Sequence, residues 1–310
     1  MRILVTGGAG FIGSHVVDAF VAAGHQVAVI DDLSSGRREN LNAQATFYQL
    51  DVQDAAVGDV FRREQPEVLC HHAAQMDVRR SVADPLFDAR VNLVGLLNLM
   101  EHGRRNGLRR VLLASTGGAI YGEQETFPAP ETHKTEPVSP YGVAKLASER
   151  YLFFYSVAYG ITYAALRYAN VYGPRQNPHG EAGVVAIFTE KLLRGEQPVI
   201  NGDGKQMRDY VYVADLVRAN LAALTSDFVG ALNLGTGVET DVNALFDHLR
   251  RLCGASVPEQ HGPAKAGEQR RSVIDSALAG RVLGWRPQVS LEEGLRQTVA
   301  FFRARLNATA

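Results

Sequence analysis

The side chains in this sequence best suited to moving a proton are a tyrosine and a lysine in the segment SPYGVAK, residues 139–145. Pro140 is typical of the first turn of a helix, and a helix would place Tyr141 and Lys145, four residues apart, on one face. An ammonium group near a phenol favours the phenolate, which is the form that accepts a proton. The spacing is therefore consistent with general-base chemistry on a hydroxyl group or with an ordinary pair on a helix surface.

A second group of polar side chains ends a strand-like run in LLASTGGAIYG. Ser115 and Thr116 would lie at the carboxyl edge of a parallel sheet, where α/β folds bind their ligands. A serine and a threonine before Gly117 and Gly118 are also typical of a turn. Both interpretations stay open on this segment alone.

The segment VTGGAGFIG combines a strand end, three spaced glycines and the start of a helix. Gly7, Gly10 and Gly13 allow the backbone to turn tightly and to approach a pyrophosphate, whose charge is stabilised by the helix N-terminus. The spacing is one residue wider than that of the commonest dinucleotide motif. We predict a dinucleotide site here.

An acidic residue follows each of the next two strand-like runs. Asp31 would accept hydrogen bonds from the adenosine ribose and repel a 2′-phosphate, which favours NAD over NADP, although Arg37 and Arg38 are close enough in sequence to favour the opposite choice. Asp51, with Val52, would suit the adenine edge or simply cap the strand end.

These side chains need a scaffold that brings distant segments to one edge. The first half of the chain alternates strand-like and helix-like runs, which predicts a Rossmann-type, doubly wound parallel sheet in an α/β fold. The pattern loosens after Tyr172, where a Gly/Pro-rich loop occupies residues 173–183. We expect an NAD-binding domain at 1–172 and a smaller, interwoven substrate domain at 173–310, with residues 209–237 returning to the first domain. The predicted elements are strands at Ile3–Thr6, Val27–Ile30, Phe47–Leu50, Val68–His71 and Val111–Ser115, and a helix at Ser14–Ala23.

Composition excludes several classes of function. The chain has 310 residues, 46% of them hydrophobic, and a net charge of −1 with no block of like charge. We therefore expect neither a nucleic-acid groove nor a membrane anchor. Cys70 and Cys253 lack metal-ligand spacing, and no apolar stretch approaches the length of a membrane span, which together predict a cytoplasmic protein without a metal site.

Nearly the whole chain resembles the extended short-chain dehydrogenase/reductase superfamily and, within it, the UDP-galactose 4-epimerase group. The segments that carry the resemblance occur in the family's order. They are VTGGAGFIGSH, IDDLSSG, HHAAQ, VNLVGLLNLME, STGGAIYGE, SPYGVAK, LRYANVYGPRQ, RDYVYVAD, NLGTG and LGWRP.

The resemblance implies roles for the matching residues. Tyr141 is then the catalytic base, Lys145 binds the nicotinamide ribose and lowers the pKa of the tyrosine, and Thr116, with Ser115 beside it, hydrogen-bonds the sugar hydroxyl. The implied NAD contacts are Gly7, Gly10, Phe11, Ile12, Gly13, Asp31, Asp32, Ser35, Gly36, Asp51, Val52, Ala73, Ala74, Gln75, Asn92, Tyr141, Lys145 and Tyr168. The implied UDP-sugar contacts are Thr116, Asn170, Val185, Arg208, Lys265 and Ser272.

Two positions depart from the family pattern. Lys265 stands where an arginine is usual, so it keeps the charge and loses the bidentate geometry. Met76 stands where some epimerases have a lysine, and a thioether cannot replace that contact. Arg208 is implied to bind the diphosphate, and its alternative is a structural ion pair with Asp209.

The expected activity is NAD-dependent 4-epimerisation of a UDP-hexose through a transient 4-keto sugar. A nucleotide-sugar 4,6-dehydratase would carry an acidic pair where Gly117 and Gly118 stand. A UDP-glucuronate decarboxylase is a second alternative in the same superfamily. A catalytically silent dinucleotide sensor is a third, although such proteins commonly lack the tyrosine or the lysine.

Two further expectations concern assembly and substrate range. The runs DARVNLVGLLNLMEHG and YLFFYSVAYG are apolar nearly all round, which predicts a homodimer through these helices or, alternatively, a wider monomer core. Five residues after Gly267, at the family's gate for the sugar 2-substituent, stands Ser272. A small residue there predicts that N-acetylated sugars are accepted, unless a neighbour such as Arg271 refills the space.

Overall fold

Short apolar runs form the strands of the sheet, and amphipathic runs between them form its helices. The computed structural model describes residues 1–178, 183–265 and 269–309. Its strands are β1 (Arg2–Thr6), β2 (Gln26–Ile30), β3 (Thr46–Tyr48), β4 (Val68–His71), β5 (Arg110–Thr116), β6 (Thr162–Tyr168), β7 (Asn170–Tyr172), β8 (Ile200–Asn201), β9 (Met207–Tyr212), β10 (Gly230–Leu234), β11 (Glu239–Asp241), β12 (His261–Gly262) and β13 (Arg271–Ser272). Its α-helices are α1 (Phe11–Ala22), α2 (Val57–Glu64), α3 (Val78–Ala83), α4 (Pro85–Ala89), α5 (Gly95–Arg105), α6 (Pro140–Tyr159), α7 (Val184–Leu193), α8 (Val213–Thr225), α9 (Val242–Cys253), α10 (Ala277–Leu283) and α11 (Leu291–Thr309).

The central sheet has the strand order β10-β6-β5-β4-β1-β2-β3 among the described residues, with every neighbouring pair parallel. The chain starts at β1 and builds outward in both directions, so the strand order reverses between β1 and β4. Ligands of such sheets bind outside the carboxyl ends of the strands at this reversal. The predicted doubly wound α/β fold is confirmed.

Helices bury both faces of this sheet. On one face α1 and α8 pack against each other over a core that includes Val5 and Leu112. On the other face α2 and α5 pack over Leu4 and Val111. Adjacent strand residues therefore enter opposite cores, as the alternation of side chains along a strand requires.

A second, smaller layer carries strands β7, β9, β11 and β13 in one four-stranded sheet. Helices α7, α9 and α11 enclose its core around Phe188 and Phe246. The segment RDYVYV forms β9 in this sheet, after which α8 returns to α1 and β10 joins β6.

The predicted strands are found within two residues of their expected bounds. The first helix begins at Phe11 rather than at Ser14, because Gly10 is already its N-cap. The predicted loop at 173–183 is described only in part, since residues 179–182 lie outside the described ranges. No helix in the described ranges is long and apolar enough to cross a membrane.

Candidate functional site

The tyrosine and lysine of SPYGVAK lie in the first turns of α6. Ser139 is the N-cap, its hydroxyl accepting from the Gly142 amide at 3.2 Å, and Pro140 occupies the first helical position. The Lys145 side chain is buried, and Nζ donates to the carbonyl of Ala114 in β5 at 2.9 Å. Nζ lies 5.9 Å from the centroid of the Tyr141 ring. The helix and the strand together hold the ammonium beside the phenol.

Burial acts on both groups of this pair. It lowers the pKa of Lys145 to about 8, opposed by the negative charges of Asp88 and Glu149. It also raises the pKa of Tyr141, and the charge of Asp88 raises that pKa further. Burial thus brings the lysine closer to neutrality and keeps the isolated tyrosine in its phenol form. Positive charge from Lys145 and from an oxidised nicotinamide acts in the direction of the phenolate.

The structure separates the two hydroxyl groups that end β5 and corrects one expectation. Ser115 is buried and donates to Oε1 of Glu149 at 2.6 Å, so its proton is directed into the protein and not toward a sugar. Thr116 is half-buried, and its Oγ1 accepts from the Ala119 amide at 3.2 Å. The cause is strand alternation, which sends neighbouring side chains to opposite faces.

Three polar side chains from distant segments converge beside Gly118. A Cβ built on this glycine would lie 3.8 Å from Oγ1 of Thr116, 3.9 Å from Oδ1 of Asn170 and 4.0 Å from Oγ of Ser272. The backbone of Gly117, in contrast, is closed by Ile274, whose Cδ1 would lie 2.6 Å from an added Cβ. The region around Gly118 thus has room for an added Cβ at ordinary contact distance from these hydroxyl and amide groups, in the turn after β5, the strand that holds Lys145.

Arg271 does not refill this space. Its guanidinium lies 3.8 Å from the centroid of Phe127, and its Nε donates to Glu239 at 2.6 Å. Arg271 is exposed whereas Ser272 is buried, because the two are neighbours in β13. Gly267, from which the position of Ser272 is counted, lies outside the described residues.

The glycine motif forms a cradle that fits a dinucleotide. Gly7 has a φ of +70°, and a Cβ there would lie 2.6 Å from the amide nitrogen of Ala73. A Cβ on Gly13 would collide with the Gly7 carbonyl. Gly10 caps α1 without a side chain, so the amides of the first turn, at Phe11 and Ile12, have no side-chain cap. The glycines let the backbone approach a ligand closely, and the N-terminus of α1 has no side-chain cap. Both features suit a pyrophosphate.

Asp31 follows β2 and is buried. Its carboxylate accepts from the amides of Ala9, at 2.9 Å, and Leu33, at 2.8 Å. A carboxylate has further lone pairs, so it can still accept from ribose hydroxyls. Gly36 lies against it, since a Cβ there would approach Oδ1 to 2.6 Å. Burial raises the pKa of Asp31, and its two backbone hydrogen bonds act in the opposite direction.

The other residues of this loop are more exposed. Asp32 accepts from the amide and hydroxyl of Ser34, and Ser35 is exposed. Arg37 lies 3.4 Å from Glu39, and Arg38 donates to Gln49. These contacts give both arginines protein partners.

Two expected adenine contacts follow β3. Asp51 accepts from the Gln53 amide at 2.9 Å, which is the cap that the sequence left as an alternative. Val52 is buried against Gly95, whose added Cβ would lie 2.7 Å from it.

Asn92 holds the loop that follows β4. Its amide group exchanges two hydrogen bonds with the Gln75 backbone, donating to its carbonyl at 2.8 Å and accepting from its amide at 2.9 Å. Asn92 lies in a π-helical turn, Arg90–Val94, a feature that is frequent at functional sites. Ala73 and Ala74 precede Gln75 and are half-buried. Asn92 thus fixes the expected cofactor loop.

Tyr168 ends β6 with its ring in the core. Its hydroxyl accepts from Asn220 at 2.9 Å and lies 3.3 Å from Nε2 of His72, whose ring stacks on it. His72 was not identified from the sequence, although a second histidine at a strand end was a visible signal. Burial lowers the pKa of His72 to about 3, so it is neutral near pH 7.

Other residues expected to bind the UDP-sugar lie in the second layer. Arg208 pairs in register with Ser272 and donates to the Met207 carbonyl. Asp209, the alternative partner of Arg208, is buried and accepts from the Thr236 and Gly237 amides.

Three further residues have distinct environments. Val185 is buried in the core at the start of α7, so only its backbone could face a ligand. Lys265 is exposed and lines a surface pocket of about 340 Å³ with Asp203 and Arg270. Met76 is 52% exposed.

Two buried acidic residues of the site were missed. Glu149 lies one turn beyond Lys145 and receives two hydrogen bonds from Arg167, at 3.0 and 2.7 Å. Asp88, in α4, receives hydrogen bonds from Gln75 and Asn92. Spacing from Lys145 could have identified Glu149 on the same helix face, whereas no local pattern marks Asp88.

Comparison with known proteins decides the family. The model of the NAD dependent epimerase/dehydratase family matches residues 3–235. The chain belongs to this family. A UDP-glucose 4-epimerase of Mycolicibacterium smegmatis is 47% identical over 98% of this chain and 99% of its own length.

Solved structures of family members superpose closely. A UDP-glucose 4-epimerase of Thermotoga maritima, solved with UDP-glucose, matches with a TM-score of 0.97 and 51% identity over 99% of this chain and 100% of that one. One of Thermus thermophilus, solved with NAD, matches with a TM-score of 0.93 and 44% identity over 98% of this chain and 99% of that one. The resemblance inferred from the motifs is confirmed, and so is NAD as the family's cofactor.

Proposed function

We propose that this protein is an NAD-dependent 4-epimerase of UDP-hexoses, with UDP-glucose and UDP-galactose as its substrates. The observation that carries the proposal is the pairing of Tyr141 with Lys145, whose ammonium is held by β5 near the carboxyl edge of a sheet whose glycine cradle fits NAD. The relatives named above that are UDP-glucose 4-epimerases support the choice of sugar.

Tyr141 acts as the base in the proposed reaction. Its phenolate takes the proton of the sugar 4-hydroxyl and later returns it to the oxygen of the 4-keto sugar. Lys145 stabilises the phenolate by its charge, and the Ala114 carbonyl holds the ammonium in place. Thr116 and Asn170 orient the sugar hydroxyls, while Ser115 positions α6 through Glu149. NAD, when bound, supplies the hydride acceptor and donor at C4.

The nucleotide part of the substrate would be held by the second layer. Arg208 is next to Ser272 in register, so one strand pair can present a guanidinium to the diphosphate and a small hydroxyl to the sugar. Lys265 supplies further positive charge. We accordingly assign residues 1–172 mainly to NAD and 173–310 mainly to the UDP-sugar, with α8 and β10, from the segment 209–237, packed on the NAD-binding sheet.

The structure offers little support for dehydration. A 4,6-dehydratase needs an acid and a base of its own after Thr116, and this chain has Gly117 and Gly118 there. Decarboxylation of UDP-glucuronate remains the second candidate, because a relative of that activity, UDP-glucuronic acid decarboxylase 1 of Xenopus tropicalis, is 31% identical over the whole chain.

The test is an assay of the purified protein with a panel of nucleotide sugars, with product stereochemistry as the readout. We expect interconversion of UDP-glucose and UDP-galactose without net change in NAD. Release of carbon dioxide from UDP-glucuronate, or no turnover with any sugar while NAD binds, would replace the proposal by decarboxylation or by dinucleotide sensing.

We also propose that the protein is a homodimer in the cytoplasm. Large apolar side chains are exposed on α6, with Phe153 at 57%, Phe154 at 50% and Val157 at 73%, so the alternative of a wider monomer core does not account for them. A second copy of this surface would cover them by two-fold pairing. Cys70 and Cys253 are unpaired, which supports a reducing compartment.

A further inference from the structure

A buried carboxylate that the proposed reaction does not use lies behind the tyrosine and lysine. Asp88 is 1% exposed and belongs to α4, which packs against α6. Its Oδ1 accepts from Nε2 of Gln75 at 3.0 Å and from Nδ2 of Asn92 at 2.9 Å. Its Oδ2 is buried and has no hydrogen-bond partner among the described residues. A buried carboxylate oxygen without a partner is costly, so its retention calls for a reason.

The ionisable groups that interact with the charge of Asp88 lie on one helix, α6. Lys145 and Tyr141 of α6 are the ionisable groups whose interaction with its charge is resolved. The charged residues of the other elements packed on α4 are exposed; they are Arg79, Arg80 and Arg90. Lys145 is thus the buried cation of α6 that interacts with this carboxylate, across the contact between α4 and α6.

Glu149, the other anion near Lys145, already has a cation of its own. Arg167 binds both of its oxygens, and both side chains are buried. The groups that bind Asp88 are neutral amides. A buried ammonium needs a counter-charge, and Asp88 is the anion whose charge is not already balanced by such a pair.

We propose that Asp88 is a positioning residue of the proton-transfer site, and that its carboxylate is the counter-ion of Lys145, held in place by Gln75 and Asn92. The inference rests on the proposed function in so far as Tyr141 is the base. The same two amides fix the cofactor loop, so one carboxylate links the loop after β4 to the charge state of α6.

The consequence is a shift of both titrations in one direction. A nearby anion favours the protonated form of every neighbour, so it raises the pKa of Lys145 and the pKa of Tyr141. Removing the charge lowers both. If activity needs the phenolate and the ammonium together, the acid limb and the alkaline limb of the pH profile must both move to lower pH.

The test is the substitution Asp88→Asn, whose amide oxygen can still accept from Gln75 and Asn92. We expect the pH profile of kcat/KM to move down by about one pH unit on both limbs. The titration of Tyr141, read with NAD bound and without substrate as the ultraviolet difference between each protein and its Tyr141→Phe derivative, should move in the same direction. The matched control is Asp84→Asn. Asp84 is the exposed N-cap of the same helix, so this substitution also removes one carboxylate charge from α4.

A lower rate at every pH, with unmoved limbs and an unmoved tyrosine titration, would reduce Asp88 to a structural role and overturn the proposal. Asp88→Ser, a smaller neutral replacement, serves if the asparagine variant does not fold. Because the tyrosine titration requires no substrate, it tests Asp88 even if the protein proves not to be an epimerase.

Discussion

At the scale of single residues, the site depends on opposing effects of burial and charge on Tyr141 and Lys145. Burial lowers the pKa of Lys145 to about 8. The ammonium is therefore complete below that pH and is lost as the pH rises through it. We predict that kcat/KM falls on the alkaline side near this value, since kcat/KM reports the free protein.

Lys145→Met should remove this limb and lower the rate, and Tyr141→Phe should abolish turnover while NAD still binds. An unchanged rate in Tyr141→Phe would remove the tyrosine from the mechanism.

Ser272 sets the expected range of sugars. Its Oγ lies 4.0 Å from the Cβ position of Gly118, beside Thr116 and Asn170, and a tyrosine there would occupy the space at Gly118. We predict that UDP-N-acetylglucosamine is epimerised, and that Ser272→Tyr lowers that reaction at least about tenfold with little effect on UDP-glucose. Ser256→Tyr, at an exposed position, is the matched control. The idea fails if the natural protein converts UDP-glucose and leaves the acetylated sugar unchanged.

At the scale of elements, a buried ion pair joins α6 to β5 and β6. Glu149 accepts from Ser115 and twice from Arg167, whose Nη1 also donates to Tyr121 at 2.9 Å. Removing one partner leaves a buried guanidinium uncompensated, so Glu149→Gln should cost about 3–5 kcal/mol of unfolding free energy. Asp247→Asn, which breaks an exposed pair with Arg250, should cost less than about 1 kcal/mol. Denaturant unfolding measures the free energy of unfolding of both variants. Equal losses would contradict the importance of the buried Glu149–Arg167 pair.

Local patterns were sufficient to predict the sheet, because strand-like runs alternate with helix-like runs, and they also marked the glycine turn and the Tyr141–Lys145 pair as candidates. Strand alternation could also have shown that Ser115 and Thr116 face opposite sides. Asp88 could not have been found this way, since its proposed role depends on the packing of α4 on α6. The same holds for β13, where Ser272 pairs with Arg208 across a long separation in sequence.

At the scale of the whole molecule, α6 joins two proposed properties. Tyr141 and Lys145 lie near its start, while Phe153 and Val157 are exposed near its end. Covering such side chains with a second copy buries apolar surface, and a carboxylate placed there would have to be desolvated without a partner. We predict that the natural protein sediments at twice the 33.7 kDa of one chain, and that Val157→Glu shifts it to monomer.

The control for assembly is Val238→Glu, because Val238 is 61% exposed on a loop outside α6. It should leave the sedimenting mass unchanged, which separates loss of the helix surface from a general effect of added charge. A natural protein of monomer mass at micromolar concentration would refute the pairing. Since the lysine is held by the Ala114 carbonyl of its own chain, the Val157→Glu monomer should keep the alkaline limb set by Lys145. If the alkaline limb moves when the dimer dissociates, the second copy contributes to the electrostatic field at the start of α6.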